Sequence, residues 1–179
     1  MALSPQFYRR WIPVFSNPWG LAIDRVLVRF TDWSLLTTIY RGAGGLPNWP
    51  SLLMTTIHWK TGQQRSVVLP YKRDEEQMII IGSHGGRPTD AIWSLNLRAH
   101  PIAWVRIRGR RFACQVRLAA GQERERLWAE VSQGGAYAHY AKTAYPREIP
   151  IFVLEPAEAV ASRPRESRAP TAPPDTLNS

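Results

Sequence analysis

The pattern of apolar and polar positions changes near residue 50. Before it, aromatic and basic residues come in clusters interrupted by Pro13, Pro18, Pro47 and Pro50. Only about Leu21 to Leu36 sustains helical spacing there. Leu21, Val28, Leu35 and Leu36, with Ile23, Leu27 and Phe30 beside them, are broken by Asp24, Arg25, Arg29 and Asp32. This predicts one amphipathic helix, either packed on the domain or lying in a membrane interface with help from Arg9, Arg10, Trp11, Trp19, Arg25 and Arg29. From Ser51 the texture is that of strands. Leu52–Trp59, Arg65–Lys72 and Gln77–Gly82 are rich in apolar and β-favouring residues, and the turns Lys60–Gln64 and Arg73–Glu76 make them successive antiparallel hairpins. Ile102–Ile107 and Arg111–Leu118 flank a second kind of turn, Arg108-Gly109-Arg110, with clear alternation in the first of the two. A helix over Asp90–Ala99, capped by Thr89-Asp90 and stopped by His100-Pro101, interrupts the strands. A second helix covers Glu123–Val131, and Tyr137–Tyr140 has helix-like spacing. The last strand, Ile149–Leu154, contains Pro150 and so reads as an edge.

These elements predict an α+β chain in three parts: an amino-terminal aromatic and basic segment over 1–50, a small β-barrel with flanking helices over 51–156, and a disordered tail over 157–179, where Pro, Ala, Ser and Arg dominate. A length of 179 residues suits one folded domain. Eight Trp, six Tyr and five Phe supply ample material for its core. No stretch reaches the ~18 apolar residues of a membrane span, and Met1–Pro13 lacks the features of a secretory leader. The expected location is therefore the cytoplasm, or the cytoplasmic face of a membrane.

Charge narrows the partners without naming one. With 23 basic and 14 acidic residues the chain carries +9, which favours phosphorylated ligands, nucleic acid or anionic lipid. Arg106, Arg108, Arg110 and Arg111 keep a nucleic-acid module among the readings, yet no nucleic-acid motif accompanies them, and no nucleic acid is the expectation. The single cysteine, Cys114, excludes an internal disulfide and reads as a small buried hydrophobe. His58, His84, His100 and His139 lack ligand spacing, so no metal site is expected. No P-loop, Gly-x-Ser-x-Gly or Gly-x-Gly-x-x-Gly sequence is present. Two loops could hold an anion. Lys60-Thr61-Gly62 with Arg65 puts two cations, a hydroxyl and flexible amides in one turn, a pattern shared with plain solvated hairpins. Ser83-His84-Gly85-Gly86 leads from a strand towards a helix start, where free N–H groups favour negative charge, though a plain connector looks the same.

Taken in order, Thr55–Arg65, Leu69-x-Tyr71, Ser83-His84-Gly85-Gly86-x-Pro88, Trp93-x-x-Asn96-Leu97, Ala99-x-Pro101, Glu123–Trp128 and Arg147–Pro156 resemble the deazaflavin (F420)-dependent nitroreductase family. The resemblance covers about Leu52 to Pro156 and implies a split β-barrel of the flavin-reductase type that binds F420, with FMN, FAD or haem as the alternatives in related groups. By position it implies that Lys60, Thr61, Gly62 and Arg65 hold the phosphate and acidic tail, and that Val68, Pro70, Ser83, His84, Gly85, Trp93 and Asn96 surround the ring system. The cofactor would carry the hydride, leaving the protein to orient it and offer a proton. Ser83, Tyr137 and Tyr140 are the candidates at the reacting end; the two tyrosines, three apart, could equally be packing residues. The implied substrate is a hydrophobic electrophile such as a quinone or nitro compound, and a homodimer is compatible with the fold. Three departures stand out: His58-Trp59 replace a Gly-Arg pair, His84 replaces a basic residue, and Pro70 stands where some members carry tyrosine. The first two bear on the grip on the acidic tail, and the third removes any donor role at position 70.

Overall fold

A computed structural model describes residues 5–31, 33–44, 47, 49–133 and 135–157. The predicted tail from 158 onward lies outside the described residues. In chain order the elements are α1 (Pro5–Phe15), α2 (Pro18–Phe30), α3 (Leu35–Gly44), β1 (Ser51–Ile57), β2 (Gln64–Pro70), β3 (Lys72–Asp74), β4 (Gln77–Ile81), a 3₁₀ turn (His84–Gly86), α4 (Ile92–Ala99), β5 (Ile102–Ile107), β6 (Arg110–Leu118), α5 (Gly121–Ser132), α6 (Ala136–Ala144) and β7 (Ile151–Pro156). The strands form one antiparallel sheet in the order β2-β1-β5-β6-β7-β4-β3, curled into a split barrel.

Period-2 alternation sorts the interior into two cores. Met78, Ile80, Phe152 and Leu154 join Leu52, Met54, Val105 and Val116 on one side of the sheet. Ile79, Ile81, Ile151 and Val153 point the other way and pack under Leu127, Val131, Tyr137 and Ala144 of α5 and α6. A strand covered on both faces must be apolar at every position. Met78–Ile81 and Ile151–Leu154 meet that demand, and all eight residues are buried. Cys114 is fully buried in the first core, and burial pushes its thiol up to about 12, which matches a small hydrophobe.

Four expectations are corrected. β7 is not an edge: it lies between β6 and β4. Pro150 precedes the strand and Pro156 closes it, so neither removes an internal N–H, and the Pro150 carbonyl accepts from Gly82 N at 2.8 Å. The helix expected over Leu21–Leu36 is two helices. Thr31 is extended and ends α2, while the Ser34 hydroxyl accepts from Thr37 N at 2.9 Å at the start of α3. Buried Asp24 of α2 completes that cap, accepting from Ser34 Oγ at 2.8 Å and from Leu36 N at 3.3 Å. The strand expected over Arg65–Lys72 divides at buried Tyr71, where the chain leaves β1 as partner and joins β4. Finally, Thr89-Asp90 does not cap α4. Ala91 is the cap residue without a side-chain bond, and Asp90 is instead paired with Arg147 at 3.0 Å.

α1 was not predicted, since Pro13 lies inside it. It packs on α3 at close range: a Cβ on Gly42 would stand 2.4 Å from Tyr8 Cδ2. α2 lies across β1, β2 and β5, and with α3 it forms a roof over the sheet's β2 edge.

Candidate functional site

Between that roof, β2 and the Ser83–Gly85 turn lies a cleft of about 650 Å³, within the range of small-molecule sites. Eight sequence-predicted residues line it: Val68 and Pro70 on the edge strand, Ser83, His84 and Gly85 on the turn, Trp93 on α4, and Tyr137 and Tyr140 on α6. Trp93 also packs on Phe152 with ring centroids 5.5 Å apart, so its ring serves both core and cleft. Tyr137 is 4% exposed and stacks on Trp49 at 5.8 Å, with Tyr140 edge-on to it at 6.2 Å. Burial raises both phenols above their ordinary value, with a further push on Tyr137 from Tyr140 and on Tyr140 from Tyr40. Both therefore keep their protons at neutral pH.

The Ser83–Gly86 turn is built to lie open to the cleft. His84, Gly85 and Gly86 all have positive φ, and the side of Gly85 where a Cβ would stand is empty to 4 Å. A Cβ on Gly86, by contrast, would meet Thr143 Oγ1 at 2.1 Å, which is how the turn sits hard against α6. His84 Nδ1 lies 2.8 Å from the Thr89 carbonyl, an obligate acceptor, so Nδ1 carries the proton. The Ser83 hydroxyl makes no capping bond.

One residue holds this turn from outside. The Arg147 guanidinium, 11% exposed, donates to the Gly82 carbonyl at 3.1 Å, the Ser83 carbonyl at 2.8 Å and the Arg87 carbonyl at 2.9 Å, and pairs with Asp90 at 3.0 Å. Its planar fork suits several acceptors at once.

The basic turn lies at the far end of β2. Arg65 and Pro70 are five strand residues apart, roughly 16 Å, a spacing that suits an elongated ligand with its ring at one end and its anion at the other. Gly62 has φ 69° with open space beside it. The Lys60 ammonium sits 4.5 Å above the Trp59 ring, and Arg65 donates to Gln63 Oε1 at 2.6 Å. Two amides that the sequence reserved for an anion are already engaged. Lys60 N and Thr61 N point at His58 Nδ1, at 3.2 and 3.3 Å. The unusual His58-Trp59 pair thus gives the turn its shape and leaves the Lys60 and Arg65 side chains to present charge.

Asn96 does not reach the cleft. It is fully buried, accepting from Trp59 N at 3.1 Å and donating to Thr56 Oγ1 at 2.9 Å, so it ties α4 to the root of the basic turn. Sequence reasoning missed the roof, where Leu36, Thr37 and Tyr40 of α3 and Arg25 of α2 also line the cleft. The Ser34 cap before Leu35-Leu36 was the available signal. Among the described residues no three His, Cys, Asp or Glu side chains gather as metal ligands.

An antiparallel split barrel with a ring-sized cleft at its edge strand is an architecture suited to a flavin-type or similar cofactor. The chain belongs to the F420H(2)-dependent quinone reductase family, whose model matches residues 32–156, and is thus an F420-dependent oxidoreductase. It is 34% identical over 145 residues to an F420H(2)-dependent quinone reductase of Mycobacterium tuberculosis, covering 74% of this chain and 97% of that one. A solved F420-H2 dependent reductase, FDR-A, superposes with a TM-score of 0.53 at 28% identity over 62% of this chain and 97% of its own. A second solved chain, described as a domain-swapped dimer, gives 0.54 at 27% identity over 75% and 94%.

Proposed function

We propose that the cleft holds F420 with its ring system between β2 and the Ser83–Gly85 turn and its phosphate towards Lys60 and Arg65, for reduction of a quinone. The reading rests on one observation: a single cleft brings the edge strand, the open glycine turn and two protonated tyrosines together, with the basic turn at the strand's other end. Bound in its reduced form, F420 supplies the hydride. The chain's own residues do the rest. Val68, Pro70 and Trp93 give the ring apolar walls, while His84 and Gly85 allow close backbone approach. Tyr140, half-buried and raised in pKa, holds a proton at its hydroxyl for an acceptor oxygen, with Ser83 lining the same cleft; Tyr137, deeper and stacked on Trp49, is the wall that orients Tyr140. Nitro compounds are the second class of acceptor, since the same hydride and proton serve them.

Titration with F420 and, in parallel, FMN and FAD, followed by tryptophan quenching, tests the cofactor. Micromolar F420 binding that weakens at least about tenfold in Lys60→Ala/Arg65→Ala is expected; binding of FMN or FAD alone would transfer the site to the flavin branch. Menadione reduction by the loaded protein, with kcat lowered in Tyr140→Phe and KM little changed, tests the donor.

A second observation concerns location. Trp19, Ile23, Val26 and Phe30 form a stripe on α2 that is 53–81% exposed, and no described helix is long and apolar enough to cross a membrane. This supports an interfacial helix on a membrane face, where quinones reside; sedimentation with anionic vesicles, lost in Trp19→Ser/Phe30→Ser, checks it. The likeness to the domain-swapped chain supports a homodimer, readable as twice 20.4 kDa by light scattering.

A further inference from the structure

The roof brings to the cleft a second phenol that no sequence pattern singled out. Tyr40 of α3 lines it, as Tyr140 of α6 does. The two are held differently. Tyr140 is half-buried, its ring edge-on to Tyr137 and set against the glycine turn, where a Cβ on Gly86 would stand 3.2 Å from Tyr140 Cδ1. Tyr40 is 40% exposed, and its hydroxyl meets Ser16 Oγ at 3.5 Å, well beyond the ~2.7 Å of a good O–H···O bond. Exchanging so long a contact for a ligand oxygen costs little. The phenols also feel one another, since Tyr40 raises the Tyr140 phenol. A phenolate's charge sits at its oxygen, so this influence runs from hydroxyl to hydroxyl and dies away over roughly 10 Å of solvent. Elsewhere on the roof's lining Leu21 and Leu36 are apolar, and Asp24 and Ser34 are bonded to each other. Tyr40 is thus a loosely held donor on the roof, within range of a firmly held donor on α6.

We propose that Tyr40 is a specificity-determining residue: it takes the second carbonyl oxygen of a para-quinone whose first is held by Tyr140, and so selects quinones over nitro compounds. The inference rests on the reading of the cleft as a quinone site. A para-quinone carries its two acceptors at opposite ends of one ring, so donors from two different walls can hold both at once. A nitro group carries both oxygens on one nitrogen, and the far end of such a molecule offers the roof no acceptor. Hydride from the reduced cofactor, which is thereby oxidised, and one proton from Tyr140 complete the quinol, and water returns the proton to Tyr140. No proton leaves Tyr40, whose part is to orient the ring.

Kinetics of the F420H2-loaded protein give the first test. Tyr40→Phe is expected to raise KM for menadione about threefold to tenfold, the weight of one hydrogen bond, with kcat little changed. KM for 1-nitronaphthalene, a bicyclic acceptor of similar size, should stay the same. Equal rises for both acceptors, the mark of a merely structural role, overturn the proposal, as does an unchanged KM for menadione. A second readout needs no turnover. ¹³Cζ-tyrosine spectra, assigned with Tyr40→Phe and Tyr140→Phe, are followed as duroquinone or 1-nitronaphthalene is added to protein saturated with oxidised F420. Duroquinone should move both resonances, and the nitro compound that of Tyr140 alone. A Tyr40 resonance that stays still with duroquinone overturns the proposal. If F420 fails to bind, the cofactor reading falls, and the same titration of the protein alone decides this one: both phenols moving with duroquinone upholds it, and Tyr40 staying still sinks it.

Discussion

Arg147 shows how much of the site depends on a residue that never enters it. Its guanidinium reaches three carbonyls and one carboxylate of the 82–90 segment, and its side chain is nearly out of solvent. Lysine keeps the charge but offers one compact donor group in place of a planar fork. Arg147→Lys should therefore cost about 2–3 kcal/mol in denaturant unfolding. It should also raise amide exchange across residues 83–90 and weaken cofactor binding, with the basic turn unaffected. Unchanged exchange there would refute this role. Asn96 and His58 teach the same lesson at lower cost. Both are polar residues beside a basic turn, and the sequence offered no means of telling a ligand contact from an internal tie. Which way each side chain points is decided by a partner distant in sequence, Thr56 for Asn96, or by the local fold of the turn itself for His58.

Elements were legible where a local period repeats often enough. β1, β4, β5, β6, α4 and α5 lie close to where alternation and amphipathic spacing place them, since each buries a face the pattern defines. The failures occur where a tertiary partner overrides local punctuation. Pro150 suggested an edge strand, but a proline just before a strand leaves the ladder intact. The roof is the clearest case. Local spacing carried a helix through Thr31–Ser34, whereas the folded chain breaks there because Asp24 reaches forward ten and twelve residues to cap α3. That contact also couples the two roof helices. Asp24→Ala leaves Ser34 Oγ and Leu36 N without a buried acceptor and should cost about 2–3 kcal/mol. Urea unfolding and cofactor affinity measured together would reveal the coupling: stability lost with unaltered affinity would show that the roof is not needed to bind.

Across the molecule, α5 acts as a clamp fastened by ion pairs to two strands, β6 and β3, and Arg117 carries the link on to β7. Arg117 of β6 donates to Glu123 at 2.8 Å and to Glu155 of β7 at 2.9 Å. Arg126 holds Asp74 of β3 at 2.8 Å, and Glu130 takes Lys72. Hydrogen bonds from Arg126 lower Asp74, those from Arg117 lower Glu123, and those from Lys72 and then Arg126 lower Glu130, each below its ordinary carboxylate value. Groups lowered in the fold stabilise it fully above their unfolded values, 3.8 for Asp74 and 4.5 for the glutamates, and lose that contribution as pH falls through the folded ones. The melting temperature should accordingly hold level down to about pH 5 and then decline, with Glu123→Gln flattening part of the slope. These pairs are partly solvated, so 0.5 M salt should shrink the effect. The sheet order carries a different consequence, for the order of events during synthesis. β1, β2, β5 and β6 can pair as soon as they emerge from the ribosome, but β3 and β4 reach the rest of the sheet only through β7, the last strand among the described residues to be made. Until residues 151–156 are released, the nascent chain carries an unmatched hairpin and two open edges at Leu118 and Ile81, the ends that chaperones would find.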